Sequence, residues 1–317
     1  MVLIDRRNNS IYIATLMSAI FYIVGFTSFL LVLPLLYYYF RSKERDKTLS
    51  ALVILLVFVF LMELVPLRNQ LSDKTVLGIL SIGLFLPVVL IGCSFVWVLL
   101  DGYRLLVRYI ASSVVVAFVM VIIGLWFKTD SEMALAVDKA IVDALNAVLN
   151  QEAQQTSLLL GVPTQELFST LRTVVFSMLF PLGAGCFGFN AFFAISTPSY
   201  IGDERFDDKV KNWKLPEMFM WIFLASLVLL LLGVFVDYPL SISIIVLNLV
   251  LFLALLFAIQ GLSIILYIRR AKGNHTRAAR VFGMTLFLII LFQGLNIVAV
   301  IGLPIFGLTE TWFTYRK

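Results

Sequence analysis

Five uncharged amides lie inside apolar runs of the sequence, where they are the side chains best suited to hold a ligand. A carboxamide carries donors and an acceptor that lipid cannot satisfy, so each must meet protein, water or a bound molecule. Interhelical hydrogen bonding is one interpretation, and a polar cavity near the outer half of a bundle is the other. Gln293 and Asn296, one helical turn apart, are the predicted wall of that cavity. The candidate amides are Asn190, Asn248, Gln260, Gln293 and Asn296.

Acidic side chains supply one further ligand candidate, Glu63. A charge at mid-bilayer costs at least about 2.5 kcal/mol, so charged residues in apolar runs are functional candidates by default. Glu63, Asp101 and Asp237 all fall near the ends of such runs, where interfacial anchoring is the simpler interpretation. Glu63 is the best exception because the apolar sequence around it leaves it too little water.

Motifs of enzymes are missing from the sequence. There is no GxSxG elbow, no Walker loop and no pair of intramembrane aspartates. The single histidine, His275, lies in a basic loop and cannot build a zinc or haem site. The sequence therefore predicts no catalytic residues, no metal and no cofactor.

Composition predicts an integral membrane protein. Hydrophobic residues make up 61% of the chain and charged residues 14%, with a mean hydropathy of +1.01. Soluble domains carry about a quarter charged residues. The cations cluster between apolar runs instead of forming a stripe, so the expected partner is the lipid bilayer and not nucleic acid.

Apolar runs of bilayer length predict an all-α, polytopic transmembrane bundle of about eight to nine helices. A span needs roughly 20 apolar residues and must be helical, because lipid offers backbone amides no partner. Seven runs fit well: Leu49–Val65, Val76–Leu100, Val107–Phe127, Thr173–Thr197, Pro216–Val236, Leu240–Ile268 and Val281–Phe306. The very short link at 236–239 predicts a hairpin of antiparallel helices.

An eighth run, Ile11–Phe40, is too long for one straight span. It either crosses once at a tilt or turns back near Gly25, with Pro34 breaking its second half. Turning back places 17 of the 24 Lys and Arg residues on one side, whereas a single crossing places 15 there. Both readings put the Arg41–Lys47 cluster in the cytoplasm by the positive-inside rule, and the first is favoured.

One domain is predicted over 1–317, with an extracytoplasmic amphipathic insertion at about 128–170. Apolar residues recur three or four apart from Met133 to Val148, which predicts a helix that packs on the bundle ends or covers a cavity. Thr164 is predicted to start the following helix.

Small residues mark faces for close helix contact. Ala14 with Ser18 forms one such pair, and Ala184 with Gly188 forms another. Packing within the chain is one interpretation, and docking of a partner membrane protein is the other.

Three stretches resemble the YybS-like proteins, a family of bacterial polytopic membrane proteins of unknown function. They are LMSAIFYIVGFTSFLLVLPLLYYYFRSKERD from Leu16, VKNWKLPEMFMWIF from Val210, and FGLTETWFTYRK at the end of the sequence. The most specific positions are Trp213, Leu215, Pro216, Gly307, Leu308, Trp312 and Arg316. Glu310 stands where the pattern has aspartate. The resemblance implies the bacterial inner membrane, and the positive-inside rule places the main basic loops in the cytoplasm.

The N-terminal pattern is similar to the substrate-binding membrane subunits of energy-coupling-factor importers. That likeness implies docking through Ala14 and Ser18 on a membrane coupling protein with ATPase subunits. It also makes the polar amides part of a ligand pocket. The expected function is the substrate-binding subunit of a small-molecule importer, and the alternative is a non-catalytic scaffold or assembly factor.

Overall fold

The computed structural model describes residues 6–68, 73–129, 164–196, 213–233, 235–236, 239–271, 295–313 and 315–316, with 132, 135, 138 and 139. Within these residues every regular element is helical. The helices are α1 (Arg6–Ile23), α2 (Leu33–Ser42), α3 (Arg45–Leu67), α4 (Lys74–Leu99), α5 (Leu105–Thr129), α6 (Thr164–Ser196), α7 (Glu217–Leu232), α8 (Leu240–Ala271) and α9 (Leu295–Thr309).

Five helices are long and apolar enough to cross a membrane, which confirms a chain with several membrane-span candidates. They cover Arg45–Leu67, Thr75–Leu99, Leu105–Trp126, Ser177–Ile195 and Ile242–Ile265. Helix α7 has 16 residues and is shorter than the predicted run Pro216–Val236. Residues 281–294 of the run Val281–Phe306 and most of the insertion at 128–170 lie outside the described residues. The predicted total of eight to nine membrane helices stays a prediction.

A glycine turn ends α1, at the position that one of the two readings of the apolar run gave for it. Gly25 has a φ of +65°, a left-handed conformation that glycine adopts without strain. Its N–H donates to the Tyr22 carbonyl at 3.0 Å, and the Thr27 hydroxyl donates to the Phe21 carbonyl at 2.9 Å. These bonds satisfy carbonyls that a helix end leaves without partners. A 3-10 turn at Ser28–Leu30 then leads into α2.

Helices α1 and α3 lie side by side and run in the same direction. Near their C-terminal ends, Tyr22 contacts Phe58 and Glu63. Near their N-terminal ends, Ile11 and Asp46 line the same groove. Residues 24–44 therefore bring the chain back to the end where α1 begins, which supports the reading in which the long first run turns back.

Contacts divide the chain into two compact units. The first comprises Met1–Leu35, Glu44–Leu99 and Ala111–Cys186. Its helices approach closely at small residues: Gly92 faces Val115, and Gly183 faces Val116 and Val89. One polar group in this core uses a backbone partner: the Cys93 thiol lies 3.1 Å from the Ser112 carbonyl.

The second unit comprises Leu36–Lys43, Leu100–Ile110 and Phe187–Lys317. The buried ring of Tyr109 stacks against Phe187 and Phe252, with centroid separations of 6.2 and 6.1 Å. Helices α7 and α8 pack together, as the short link between them predicted. The single domain over 1–317 stays a prediction.

Candidate functional site

A groove lies between α1 and α3 in the first unit. Its volume is about 770 Å³. Apolar side chains form most of its wall, among them Ile11, Leu16, Ala19, Ile54, Leu55 and Phe58. Its polar end is formed by Asp46, Lys47 and Ser50 in the first turns of α3. An apolar body with a charged end is chemically suited to an amphiphile.

The pattern of α1 explains why the groove exists. Ile11, Ala14 and Ser18 recur three or four apart and are buried, so this edge of α1 packs inward. Tyr12 and Leu16 are 73% and 61% exposed and stand beside that edge. Small side chains on the inward edge bring the helices together, while the larger ones beside it form the groove wall.

Charges at the polar end of the groove alternate along the start of α3. Lys47 Nζ lies 3.1 Å from Glu44 Oε2, and both side chains are partly exposed. The hydroxyl of buried Thr48 donates to the Glu44 carbonyl at 2.8 Å. The Ser50 hydroxyl donates to the Asp46 carbonyl at 3.0 Å. The two hydroxyls therefore bond the helix backbone. The charged side chains of Asp46 and Lys47 are exposed at the surface.

Glu63 lies beyond the other end of the groove. The Tyr22 hydroxyl donates a hydrogen bond to Glu63 Oε1, and both residues are half-buried. The Tyr22 ring meets groove residue Phe58 edge-on, with a centroid separation of 6.5 Å. Among the predicted ligand residues that the structure describes in the first unit, Glu63 lies beside this groove.

The Ala14–Ser18 and Ala184–Gly188 faces are used within the chain. Ala14 is 8% exposed, and Ser18 and Ala184 are fully buried. A Cβ added to Gly188 would lie 2.9 Å from the Tyr109 hydroxyl oxygen, so this glycine admits the tyrosine ring. Internal packing, which the sequence left open beside partner docking, accounts for these contacts.

Gln260 joins three segments of the second unit. Its Oε1 accepts a hydrogen bond from the Leu215 N–H at 2.8 Å, and its Nε2 donates to the Gly307 carbonyl at 3.0 Å. The side chain is 1% exposed. Its described polar contacts are therefore with backbone groups at the start of α7 and the end of α9.

An ion pair between Arg316 and Glu310 lies beside the segment before α7. Arg316 Nε lies 2.7 Å from Glu310 Oε1, and Arg316 Nη2 donates to Glu310 Oε2 at 2.9 Å. The same Nη2 donates to the Trp213 carbonyl at 2.8 Å. The separated stretches around Trp213 and Arg316 meet here. Sequence reasoning marked these positions only through a family resemblance and assigned them no contact.

The other four candidate amides are Asn190, Asn248, Gln293 and Asn296. Asn248 Nδ2 donates to the Ile244 carbonyl of its own helix at 2.8 Å. Asn190 is fully buried in the second unit. Gln293 lies outside the described residues, and Asn296 is described only through its place in α9. The predicted cavity wall at Gln293 and Asn296 stays a prediction.

A charged cluster missed by sequence reasoning lies where α2 ends and α5 begins. Arg108 is 3% exposed, and its Nη1 lies 3.2 Å from Asp101 Oδ1. Its guanidinium lies over the Tyr39 ring, 5.8 Å from the centroid. Burial raises the pKa of Asp101, but the hydrogen bond from Tyr39 and the charges of Arg108 and Lys43 outweigh it. The pKa of Asp101 therefore lies below its usual value, and its carboxylate stabilises the buried cation.

The helices and their hydropathy define a helical protein with several membrane-span candidates. The chain belongs to the family described as "Predicted membrane protein (DUF2232)", whose model matches residues 75–304. The match includes Gln260 and Leu215 but begins after α1 and α3, so it does not cover the groove. No curated protein matches the chain, and no solved structure does.

Proposed function

We propose that this protein is a non-catalytic, multi-pass protein of the bacterial inner membrane that recognises an amphiphilic small molecule as the substrate-binding subunit of an importer. The main basic loops are cytoplasmic in this proposal. The observation that supports it is the groove between α1 and α3, which combines an apolar body with charged groups at one end.

The dimensions and exposure of the groove suit a small molecule. Ligand sites commonly enclose about 300–1,000 Å³, and this groove of about 770 Å³ falls in that range. Tyr12, Leu16 and Ile54 line it and are more than half exposed, so a ligand has access from the surrounding lipid. The proposal therefore assigns ligand contact to the groove and to neighbouring Glu63.

Transport requires an energy source outside this chain. The likeness to energy-coupling-factor subunits supplies one: a membrane coupling protein with ATPase subunits. Ala14 and Ser18 are buried, so the proposed coupling surface is the neighbouring exposed edge of α1, which carries Ile13, Met17 and Ile20.

Purification in mild detergent, followed by identification of bound small molecules and proteins, tests the proposal. Ala19→Phe places a ring in the groove and is expected to remove the bound amphiphile while the protein stays folded. Ala225→Phe is the matched control, because Ala225 is exposed on α7 and is not among the residues that line the groove. Equal amounts of ligand in both variants would contradict the proposed site.

A scaffold or assembly factor is the second candidate. The observation that supports it is that Gln260 makes hydrogen bonds to the Leu215 N–H and the Gly307 carbonyl. This amide then stabilises the fold instead of binding a ligand. This function predicts co-purification with envelope-assembly or cell-division proteins, without a small molecule. Co-purification with a pair of ATPases would favour the importer.

A further inference from the structure

The charges of α3 at the polar end of the groove are balanced. Glu44, Arg45, Asp46 and Lys47 carry two negative and two positive charges at the start of α3. Asp46 and Lys47 line the groove itself, and both are exposed. Lys47 is also 3.1 Å from Glu44, which offsets part of its charge. A ligand bearing only negative charge gains little at such an end, whereas a ligand with both charges finds a partner for each.

The length of the groove matches one leaflet of a bilayer. Its wall on α3 extends from Asp46 to Phe58. Twelve helical steps of 1.5 Å give about 18 Å. One leaflet supplies about half of a 30 Å hydrocarbon core. A chain that lies along this wall therefore reaches from the headgroup level to about the middle of the membrane.

We infer that the groove holds a zwitterionic phospholipid from the leaflet at the α3 start, with its phosphate at Lys47 and its ammonium group at Asp46. An acyl chain lies along Ile54 and Phe58. The inference rests on the proposed function, because it concerns the same groove; a lipid from this cytoplasmic leaflet occupies the groove as a bound ligand and is not itself the imported substrate.

Photo-crosslinking in vesicles tests the inference with a matched pair of positions. Ile54 lines the groove and is 61% exposed, whereas Ile13 does not line it and is 60% exposed. A benzophenone amino acid replaces each residue in turn in the full chain. The vesicles contain equal amounts of phosphatidylethanolamine and phosphatidylglycerol with identical acyl chains, and mass spectrometry identifies the attached lipid.

At position 54 the attached lipid is expected to be enriched in phosphatidylethanolamine by up to about fivefold, the size of an exposed ion-pair effect. At position 13 it is expected to match the vesicles. Asp46→Lys is expected to shift the preference at position 54 toward phosphatidylglycerol, and Lys47→Glu is expected to remove the enrichment. Both variants are expected to leave the lipid at position 13 unchanged, which confines the effect to the groove.

Equal lipid composition at both positions would overturn the inference, as would enrichment of phosphatidylglycerol in the unaltered chain. If a non-phospholipid amphiphile from the cell stays attached at position 54, the inference is wrong and the proposed function stands. If nothing is attached at position 54 while position 13 reacts, the groove binds no amphiphile and both fail.

Discussion

At the scale of single residues, Gln260 and Arg316 of the second unit bond segments that are far apart in sequence. Gln260 connects α8 to backbone groups 45 and 47 positions away in sequence. Arg316 connects the last residues to the segment before α7. A buried amide or guanidinium is costly without partners, so these contacts select one arrangement of the segments they join.

Gln260→Leu is expected to lower the free energy of unfolding by about 2 kcal/mol or more, because the Leu215 N–H and the Gly307 carbonyl lose this partner. Thermal unfolding in detergent measures the effect. Asn248→Leu is the control and is expected to change stability little, since Asn248 Nδ2 bonds a carbonyl of its own helix. Equal losses in the two variants would show that Gln260 has no special structural role.

Arg316→Met is expected to destabilise the protein by about 3 kcal/mol, because it leaves the Glu310 carboxylate buried without its cation. The double variant, Arg316→Met with Glu310→Met, is expected to recover much of this loss, since no buried charge remains. The melting temperatures of both variants test whether the uncompensated Glu310 charge causes the loss of stability. A double variant less stable than Arg316→Met alone would contradict a penalty caused by the stranded charge.

At the scale of elements, α8 and α9 approach so closely that their backbones touch. A Cβ added to Gly307 would meet the backbone carbonyl of Phe257, and one added to Gly261 would meet that of Leu303. Backbone at a helix crossing cannot swing aside as a long side chain can. The two glycines therefore set the distance between these helices.

Gly307→Ala is expected to destabilise the protein by about 1–3 kcal/mol through overpacking. Gly302→Ala in the same helix is the matched control, because a Cβ there has no neighbour within 4 Å. It is expected to be neutral or to stabilise by up to about 1 kcal/mol through helix propensity. Thermal unfolding of both variants tests the close backbone contact between α8 and α9, and a neutral Gly307→Ala would contradict that contact.

Which features the sequence could predict depends on how far apart in sequence the interacting residues lie. The lengths of apolar runs predicted each of the five described helices that are long enough to span a membrane, and the tight link before α8, because both depend on neighbouring residues. The turn at Gly25 was predictable for the same reason. The partners of Gln260 and Arg316 were not, because the pairing depends on which distant helix ends meet. The groove was missed because it requires α1 and α3 to be parallel neighbours, which the apolar pattern leaves open.

At the scale of the whole molecule, the direction of α1 determines where the first basic cluster lies. Parallel α1 and α3 begin at the same end, so residues 24–44 must return along the length of α1. Irregular backbone is tolerated at membrane depth where protein covers it. Leu31 and Val32, between the 3-10 turn and α2, are fully buried, in accord with that requirement. The chain therefore enters α3 from the end at which it entered α1.

Cysteine labelling tests this topology directly. In a chain carrying Cys93→Ala and Cys186→Ala, single cysteines replace Asn8 in the first turn of α1 and Arg45 at the start of α3. A membrane-impermeant maleimide applied to sealed vesicles of one orientation is expected to label both positions or neither, because parallel helices place them on one side. Permeabilised vesicles provide the control for total reactivity. If one position is labelled in sealed vesicles and the other only after permeabilisation, the first run crosses once, and the parallel packing that forms the groove is wrong.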